Sequence, residues 1–183
     1  EVTKAVITNA GIDKNDILGV GISNQRETAV VWDKVTGEPL YNAIVWQCAR
    51  GAEICNRIEA AGHADMIRSH TGLHLSPYFS AAKISWILQN VNGMKEKLAK
   101  EELYAGTMDA YLVFRLTKGT SFKTDYSNAS RTQLFNINSL TWDSEVCELF
   151  GIPLQILAQV ENSDAFFGNT NFEGFLEHAI PIH

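Results

Sequence analysis

Short strand-like runs near the N-terminus, followed by segments with helical periodicity, constrain the fold of this chain more than any other feature. The run ILGVGIS (17–23) is continuous and apolar, which is typical of a strand buried on both faces. TAVVWD (28–33) and AIVWQ (43–47) are predicted as two further strands, and Gly37 and Pro39 signal a turn between them. Because mainly helical segments follow, with strands between them, the order of elements predicts an α/β fold built from layers.

The helical segments are recognised by the spacing of their apolar residues and by residues that begin or end helices. EVTKAVITNAGI (1–12) is predicted to form a short amphipathic helix closed by Gly11. CARGAEICNRIEAAG (48–62) carries Ile54 and Ile58 with helical spacing. Further helices are predicted over 80–91, 94–103, 109–117 and 142–153, the last with Asp143 or Ser144 as its cap. Two more strands are predicted, over 133–137 and 179–183.

Composition and charge exclude several classes of function. The formal net charge of −6 argues against nucleic acid or an anionic membrane surface as a partner. No run approaches the roughly 18 apolar residues that span a bilayer. The segment GVGISN (19–24) lacks the third glycine of a dinucleotide fingerprint, and no Walker A loop is present. Cys48, Cys55 and Cys147 form no paired motif, which predicts free thiols in a cytoplasmic protein.

Two opposite charges, Arg26 and Glu27, interrupt the apolar pattern between the first two predicted strands. Side chains that are adjacent on a strand point to opposite faces, so both could reach one ligand only near a strand end or a turn. A guanidinium supplies donors and a carboxylate acceptors, a combination that suits a polyol under an aromatic wall. Four aromatic residues are candidates for that wall: Trp32, Trp46, Tyr78 and Phe79. The alternative is a pair of structural ions satisfied by the backbone.

Two other polar patterns have simpler explanations. The segment TDYSNASRT (124–132) is dense in short polar side chains, and a helix cap formed by Thr124 or Asp125 explains it better than a general base does. His70 and His74 have the spacing of a helical zinc pair, but Thr71 and Gly72 lie between them and no third ligand is evident. We therefore assign no metal-binding residue.

A family resemblance covers nearly the whole chain in order. It runs through GISNQRETAVVWDKVTGEPLYNAIVWQCAR (21–50), RSHTGLHLSPYFSAAKISWIL (68–88), GTMDAYLVFRLT (106–117) and TDYSNASRTQLFNINSLTWD (124–143). These segments resemble the FGGY carbohydrate kinases, and the glycerol kinases in particular. The combination of NQRET, VWQC and TDYSNASRT is highly specific for that group.

The resemblance implies a fold and an activity. The fold would be that of an actin-like (RNase H-like) ATPase, with residues 1–183 an incomplete first domain of a two-domain kinase. By this resemblance the N-terminal domain would be the one that recognises substrate, and the C-terminal nucleotide domain would lie outside the chain. The parent protein would phosphorylate glycerol to sn-glycerol 3-phosphate with ATP and Mg²⁺, as a cytoplasmic dimer or tetramer. Alternatives are an FGGY kinase for xylulose, ribulose or a longer polyol, and a polyol-binding module without catalysis.

The resemblance also implies roles for four residues. Those matching Arg26 and Glu27 hydrogen-bond glycerol hydroxyls in glycerol kinases, Trp46 matches an apolar wall, and Tyr78 matches a hydroxyl partner. This favours the ligand-binding interpretation of the charged pair over the structural one.

Other family features are expected to be missing from the chain. The phosphate-gripping loop is expected upstream of Glu1 and the catalytic aspartate just after His183. We therefore expect no catalytic residue here, an inactive fragment and no bound cofactor. Asp125 matches a family marker rather than the base. The final loop (171–183) lacks the Gly-Gly-x-Arg pattern by which some members bind a sugar-bisphosphate inhibitor, so that regulation is not expected.

Overall fold

The computed structural model describes residues 1–183, which form eight α-helices, eight short strands and two 3-10 helices. The helices are α1 (Val2–Ala10), α2 (Ala52–Ala60), α3 (Ala64–Thr71), α4 (Ser80–Asn90), α5 (Met94–Ala99), α6 (Met108–Leu116), α7 (Tyr126–Ala129) and α8 (Ser144–Phe150). The strands are β1 (Ala29–Asp33), β2 (Leu103–Thr107), β3 (Lys123–Asp125), β4 (Phe135–Asn136), β5 (Thr141–Trp142), β6 (Gln159–Glu161), β7 (Gly168–Thr170) and β8 (Ile180–Ile182). The 3-10 helices are Lys14–Asp16 and Leu154–Ile156. None of the helices combines the length and apolar character needed to cross a membrane.

The strands associate in four pairs. β1 and β2 are antiparallel, with Ala29 opposite Thr107 and Asp33 opposite Leu103. β3 pairs in parallel with β6, whereas β4–β5 and β7–β8 are antiparallel. β2 leads directly into α6 and β3 directly into α7. α6 and β3 meet where Thr124 Oγ1 donates to Asp109 Oδ2 at 2.6 Å.

Both faces of β1 are covered, which confirms the predicted α/β arrangement. Ala29 and Val31 belong to the largest buried cluster, which includes much of α4. Val30 and Trp32 point to the opposite face and pack with residues of α6. This alternation follows from the two-residue period of a strand. β1 is therefore a rigid support for the turn that precedes it.

Two predicted strands are wrong. Residues 17–23 form no strand: they make only a bridge between Val20 and Ile182, and Leu18 is 84% exposed. Residues 43–47 form no strand either, since only Ile44 bridges Ala29. An apolar run has the same sequence pattern whether or not a partner strand lies beside it. Each of these two segments makes only an isolated bridge, which is too little pairing to form a strand.

The predicted helices are confirmed, because their signals are local. Gly11 and Gly151 end α1 and α8 in the left-handed conformation, with φ of 64° and 66°. The Asp143 carboxylate caps α8 by accepting a hydrogen bond from the Val146 amide at 2.9 Å. The helix predicted over 94–103 stops at Ala99, and its last residues turn into β2 instead.

Candidate functional site

Arg26 and Glu27 lie in a turn that leads into β1, which is the arrangement that lets neighbouring side chains approach one ligand. Their environments differ sharply. Arg26 is exposed, and no hydrogen bond or ion pair joins its guanidinium to another residue. Glu27 is only 5% exposed. Arg26 and Glu27 therefore do not form an ion pair with each other, and all the donors of the Arg26 guanidinium are free.

The Glu27 carboxylate is held by a partner that lies far away in sequence. Arg131 donates from Nε to Glu27 Oε1 at 2.9 Å. The Glu27 carbonyl oxygen accepts a hydrogen bond from Ser80 Oγ at 3.2 Å. A buried carboxylate is costly unless it is paired, so Arg131 supplies the compensating charge. Glu27 Oε2 accepts no hydrogen bond from the protein and remains available.

An aromatic group lies next to this ion pair. The Trp46 and Tyr78 ring centroids are 5.5 Å apart, and those of Tyr78 and Phe79 are 5.2 Å apart. The Arg131 guanidinium carbon lies 5.0 Å from the centroid of Phe79. Contacts therefore connect the predicted residues Glu27, Tyr78 and Trp46 through Arg131 and Phe79.

Trp32, the fourth aromatic candidate, does not join this group. Its side chain is fully buried, with Ala110 and Phe114 of α6 in the same cluster. Its ring meets Tyr111 and Phe122 edge to face. A residue enclosed in that way packs the core and cannot cover a ligand.

A buried lysine holds the backbone of the two aromatic residues Tyr78 and Phe79. Lys83, in the second turn of α4, is fully buried, and its Nζ donates to the carbonyl oxygens of Tyr78 and Phe79. Burial disfavours the charged form and lowers the pKa of Lys83 to about 8. The sequence interpretation missed this residue, although a lone charge within SAAKISWIL could have indicated it.

The segment 124–132 holds the turn that carries Arg26 and Glu27. Asn24 donates from Nδ2 to Asn128 Oδ1 at 3.0 Å. On both the turn and the segment 124–132, this contact lies three positions before the contact between Glu27 and Arg131. Asp125 is the predicted cap, since Oδ1 accepts from the Asn128 amide at 2.7 Å. Its Oδ2 accepts from Ser163. Asp125 Oδ1 is thus engaged by its own helix and Oδ2 by Ser163, which lies 38 residues further along the chain.

Asp109 contacts this segment and is buried. Its Oδ2 accepts from Thr124 Oγ1 at 2.6 Å, and Oδ1 lies 3.4 Å from Asn24 Nδ2. Burial raises the pKa of Asp109, although the hydrogen bonds from Thr107 and Thr124 oppose the shift. Sequence analysis did not single out this residue, because its position in a helix shows nothing of what packs against it.

His70 contacts a helix cap. His70 Nδ1 lies 2.9 Å from Asp143 Oδ2, the carboxylate that caps α8. Burial would raise the pKa of Asp143, but hydrogen bonds from Val146 and Asn136 and the nearby His70 bring it below its usual value. No group of three or more His, Cys, Asp or Glu side chains is placed to hold a metal ion. Cys48, Cys55 and Cys147 are free thiols.

Comparisons with known proteins identify relatives along the full chain. The family model "FGGY family of carbohydrate kinases, N-terminal domain" matches residues 1–182. Glycerol kinase from Pasteurella multocida is 50% identical over 177 residues, covering 97% of this chain and 35% of that protein. Glycerol kinase 1 from Thermotoga maritima is 49% identical over 182 residues, covering 100% of this chain and 37% of its own length. The chain thus spans about a third of the length of these relatives.

Solved structures agree with the sequence relatives. Plasmodium falciparum glycerol kinase with ADP superposes with a TM-score of 0.85 at 40% identity, over 91% of this chain and 33% of that one. A xylulose kinase from Brucella ovis gives a TM-score of 0.81 at 20% identity, over 98% of this chain and 36% of that one. The second likeness concerns the fold alone.

Proposed function

This chain belongs to the FGGY family of carbohydrate kinases, and on that premise we propose that the protein carrying it phosphorylates glycerol with ATP to give sn-glycerol 3-phosphate. Its relatives at about 50% identity are named glycerol kinases. The observation that carries the proposal is the free guanidinium of Arg26 beside the half-satisfied carboxylate of Glu27, with an aromatic pair close by.

In this proposal the four residues divide the recognition of a triol between them. Arg26 donates to glycerol hydroxyls and Glu27 Oε2 accepts from one, because each hydroxyl can do both. Trp46 covers the carbon skeleton, and the Tyr78 hydroxyl offers one more polar contact. Together they orient one terminal hydroxyl for attack, which is a contribution of positioning rather than of proton transfer.

In a kinase of this family ATP would be the phosphoryl donor, and Mg²⁺ bound with it would supply charge neutralisation at the phosphates. Residues 1–183 contain no group of metal-ligating side chains that fits Mg²⁺. We assign them no part in holding the nucleotide or in proton abstraction. In this proposal they form part of the substrate-recognising N-terminal domain, a second domain binds nucleotide, and residues 1–183 alone are inactive.

The proposal extends to assembly and location. The three free thiols are typical of a reducing compartment, so we place the protein in the cytoplasm. We expect a dimer or tetramer of the full-length protein, which light scattering after size-exclusion chromatography would measure. A monomer at micromolar concentration would contradict that expectation.

The substrate assay measures ADP release by the full-length protein with MgATP and glycerol, erythritol, ribitol, xylulose or gluconate. Glycerol should give the highest kcat/KM, and Arg26→Ala should remove most of it. Arg68→Ala is the matched control, because Arg68 is also exposed but lies on α3. Preference for a pentulose would keep the family and refute glycerol as substrate. Glycerol binding without turnover by the intact protein would favour a polyol-binding module.

A further inference from the structure

We propose that Arg131 is a positioning residue for the substrate-binding carboxylate of Glu27. In this role Arg131 occupies Oε1 and so leaves Oε2 as the oxygen that faces the polyol. The inference rests on the proposed polyol site, and it assigns to the segment 124–132 a task other than capping its own helix. Arg131 itself does not touch the substrate.

The geometry of the Glu27–Arg131 ion pair leaves one oxygen of the carboxylate free. Arg131 Nε lies 2.9 Å from Glu27 Oε1, and the side chains are 29% and 6% exposed. A carboxylate can accept about four hydrogen bonds, and one well-aligned donor on Oε1 leaves Oε2 free. An arginine held by its stem is a rigid donor, so it restricts rotation of the carboxylate that it binds. Glu27 is thereby kept in one orientation before any ligand arrives.

Arg131 is itself fixed by the aromatic part of the site. Its guanidinium carbon lies 5.0 Å from the Phe79 ring centroid, within the range of a cation–π contact. Phe79 in turn packs against Tyr78. One side chain therefore couples the polar half of the proposed pocket to its apolar half, and a shift of Arg131 would disturb both.

The Glu27–Arg131 contact is one of two contacts that join the same two segments in the same register. Asn24 meets Asn128, and Glu27 meets Arg131, so each partner lies 104 positions further along the chain. The two contacts are three positions apart on each segment. A single salt bridge could be incidental, whereas two contacts in the same register hold the whole turn, including Arg26 between them.

The test compares Arg131→Met, which keeps a flexible apolar stem over Phe79, with Arg131→Lys, which also keeps a charge. Kinetics are measured on the full-length protein with glycerol and with propane-1,2-diol and propane-1,3-diol, each of which lacks one hydroxyl. Arg131→Met should lower kcat/KM for glycerol about 10- to 100-fold, because a hydrogen bond to a charged group is lost. Arg131→Lys should retain more activity than Arg131→Met.

Three readouts separate positioning from simple stabilisation. Arg131→Met should discriminate less between glycerol and the diol lacking the hydroxyl that Glu27 binds. Added guanidinium ion should restore part of the activity of Arg131→Ala, which leaves space for the ion, and less of that of Arg131→Met. Combining it with Glu27→Gln should cost little beyond Glu27→Gln alone, because both changes disable one acceptor. Arg68→Met is the control and should leave all three unchanged.

The opposite results would overturn the inference. Unchanged kcat/KM and diol discrimination in Arg131→Met, with only a lower Tm, would make the ion pair purely structural. Additive losses of kcat/KM in the double variant Arg131→Met with Glu27→Gln would also mean that the ion pair is purely structural. If Arg131→Met does not fold, Arg131→Lys with the two diols decides by the same discrimination.

Failure of the proposed function is distinguishable from failure of this inference. If the wild-type protein phosphorylates another polyol, the variants are compared on that polyol. If it phosphorylates none, the affinity for glycerol by isothermal titration calorimetry replaces kcat/KM, and an equal affinity in Arg131→Met refutes the role of Arg131.

Discussion

Replacing Lys83 by methionine should remove a pH dependence from the stability of residues 1–183. Lys83 is fully buried, and burial lowers its pKa from 10.5 to about 8. The unfolded chain therefore holds this proton up to about pH 10.5, whereas the folded chain releases it near pH 8. Between these values the unfolded state binds more protons, so the free energy of unfolding of the wild type rises with pH.

The magnitude follows from the pKa difference of about 2.5 units. At about 1.4 kcal/mol per unit, the wild type should gain about 3 kcal/mol between pH 7 and pH 10.5 relative to a chain without the titration. Lys83→Met also leaves the Tyr78 and Phe79 carbonyls without their donor, which costs about 1–3 kcal/mol. That cost does not vary with pH, so only the pH-dependent difference between the two proteins reports the buried ammonium.

Urea unfolding followed by tryptophan fluorescence, at steps from pH 7 to pH 10, measures this difference. Lys95→Met is the control, because Lys95 is exposed on α5 and its curve should run parallel to the wild type. Parallel curves for Lys83→Met and the wild type would refute the reasoning, since they would mean that Lys83 keeps an ordinary pKa when folded.

Substitutions at Asp125, Gly51 and Gly62 test a helix cap, a close backbone approach and backbone strain. Asp125→Ala should lower the free energy of unfolding by about 1 kcal/mol, because α7 loses its cap. Asp125→Asn should lower it by less, since the amide oxygen of asparagine can still accept a hydrogen bond. Loss of all turnover in Asp125→Asn, with the fold intact by circular dichroism, would instead indicate that Asp125 has a chemical role. Gly51→Ala would place a Cβ 2.6 Å from the Ala82 Cβ and should lower the free energy of unfolding, measured with heat or urea, by about 1–3 kcal/mol. Gly62→Ala is the control for backbone strain alone, because Gly62 has open space around it but a φ of 85°.

The candidate site was only partly predictable. Arg26, Glu27, Trp46 and Tyr78 were named from a charged pair in an apolar context and from a family resemblance, and contacts connect three of them. Arg131 could not be assigned in the same way, because its partner lies 104 residues away and nothing local marks the contact. The depth at which Lys83 is buried was equally invisible, since a periodic pattern shows the face of a helix but not what covers it.

The sequence by itself determined the elements whose stabilising contacts are local. Helix ends at Gly11 and Gly151 and the cap at Asp143 depend on hydrogen bonds within a few residues, so their positions could be predicted. Only the tertiary structure decided which extended segments became strands, as residues 17–23 and 43–47 demonstrate. It also decided which charges were buried and paired. Strand pairing and burial both depend on segments far apart in the chain, and folding alone brings those segments together.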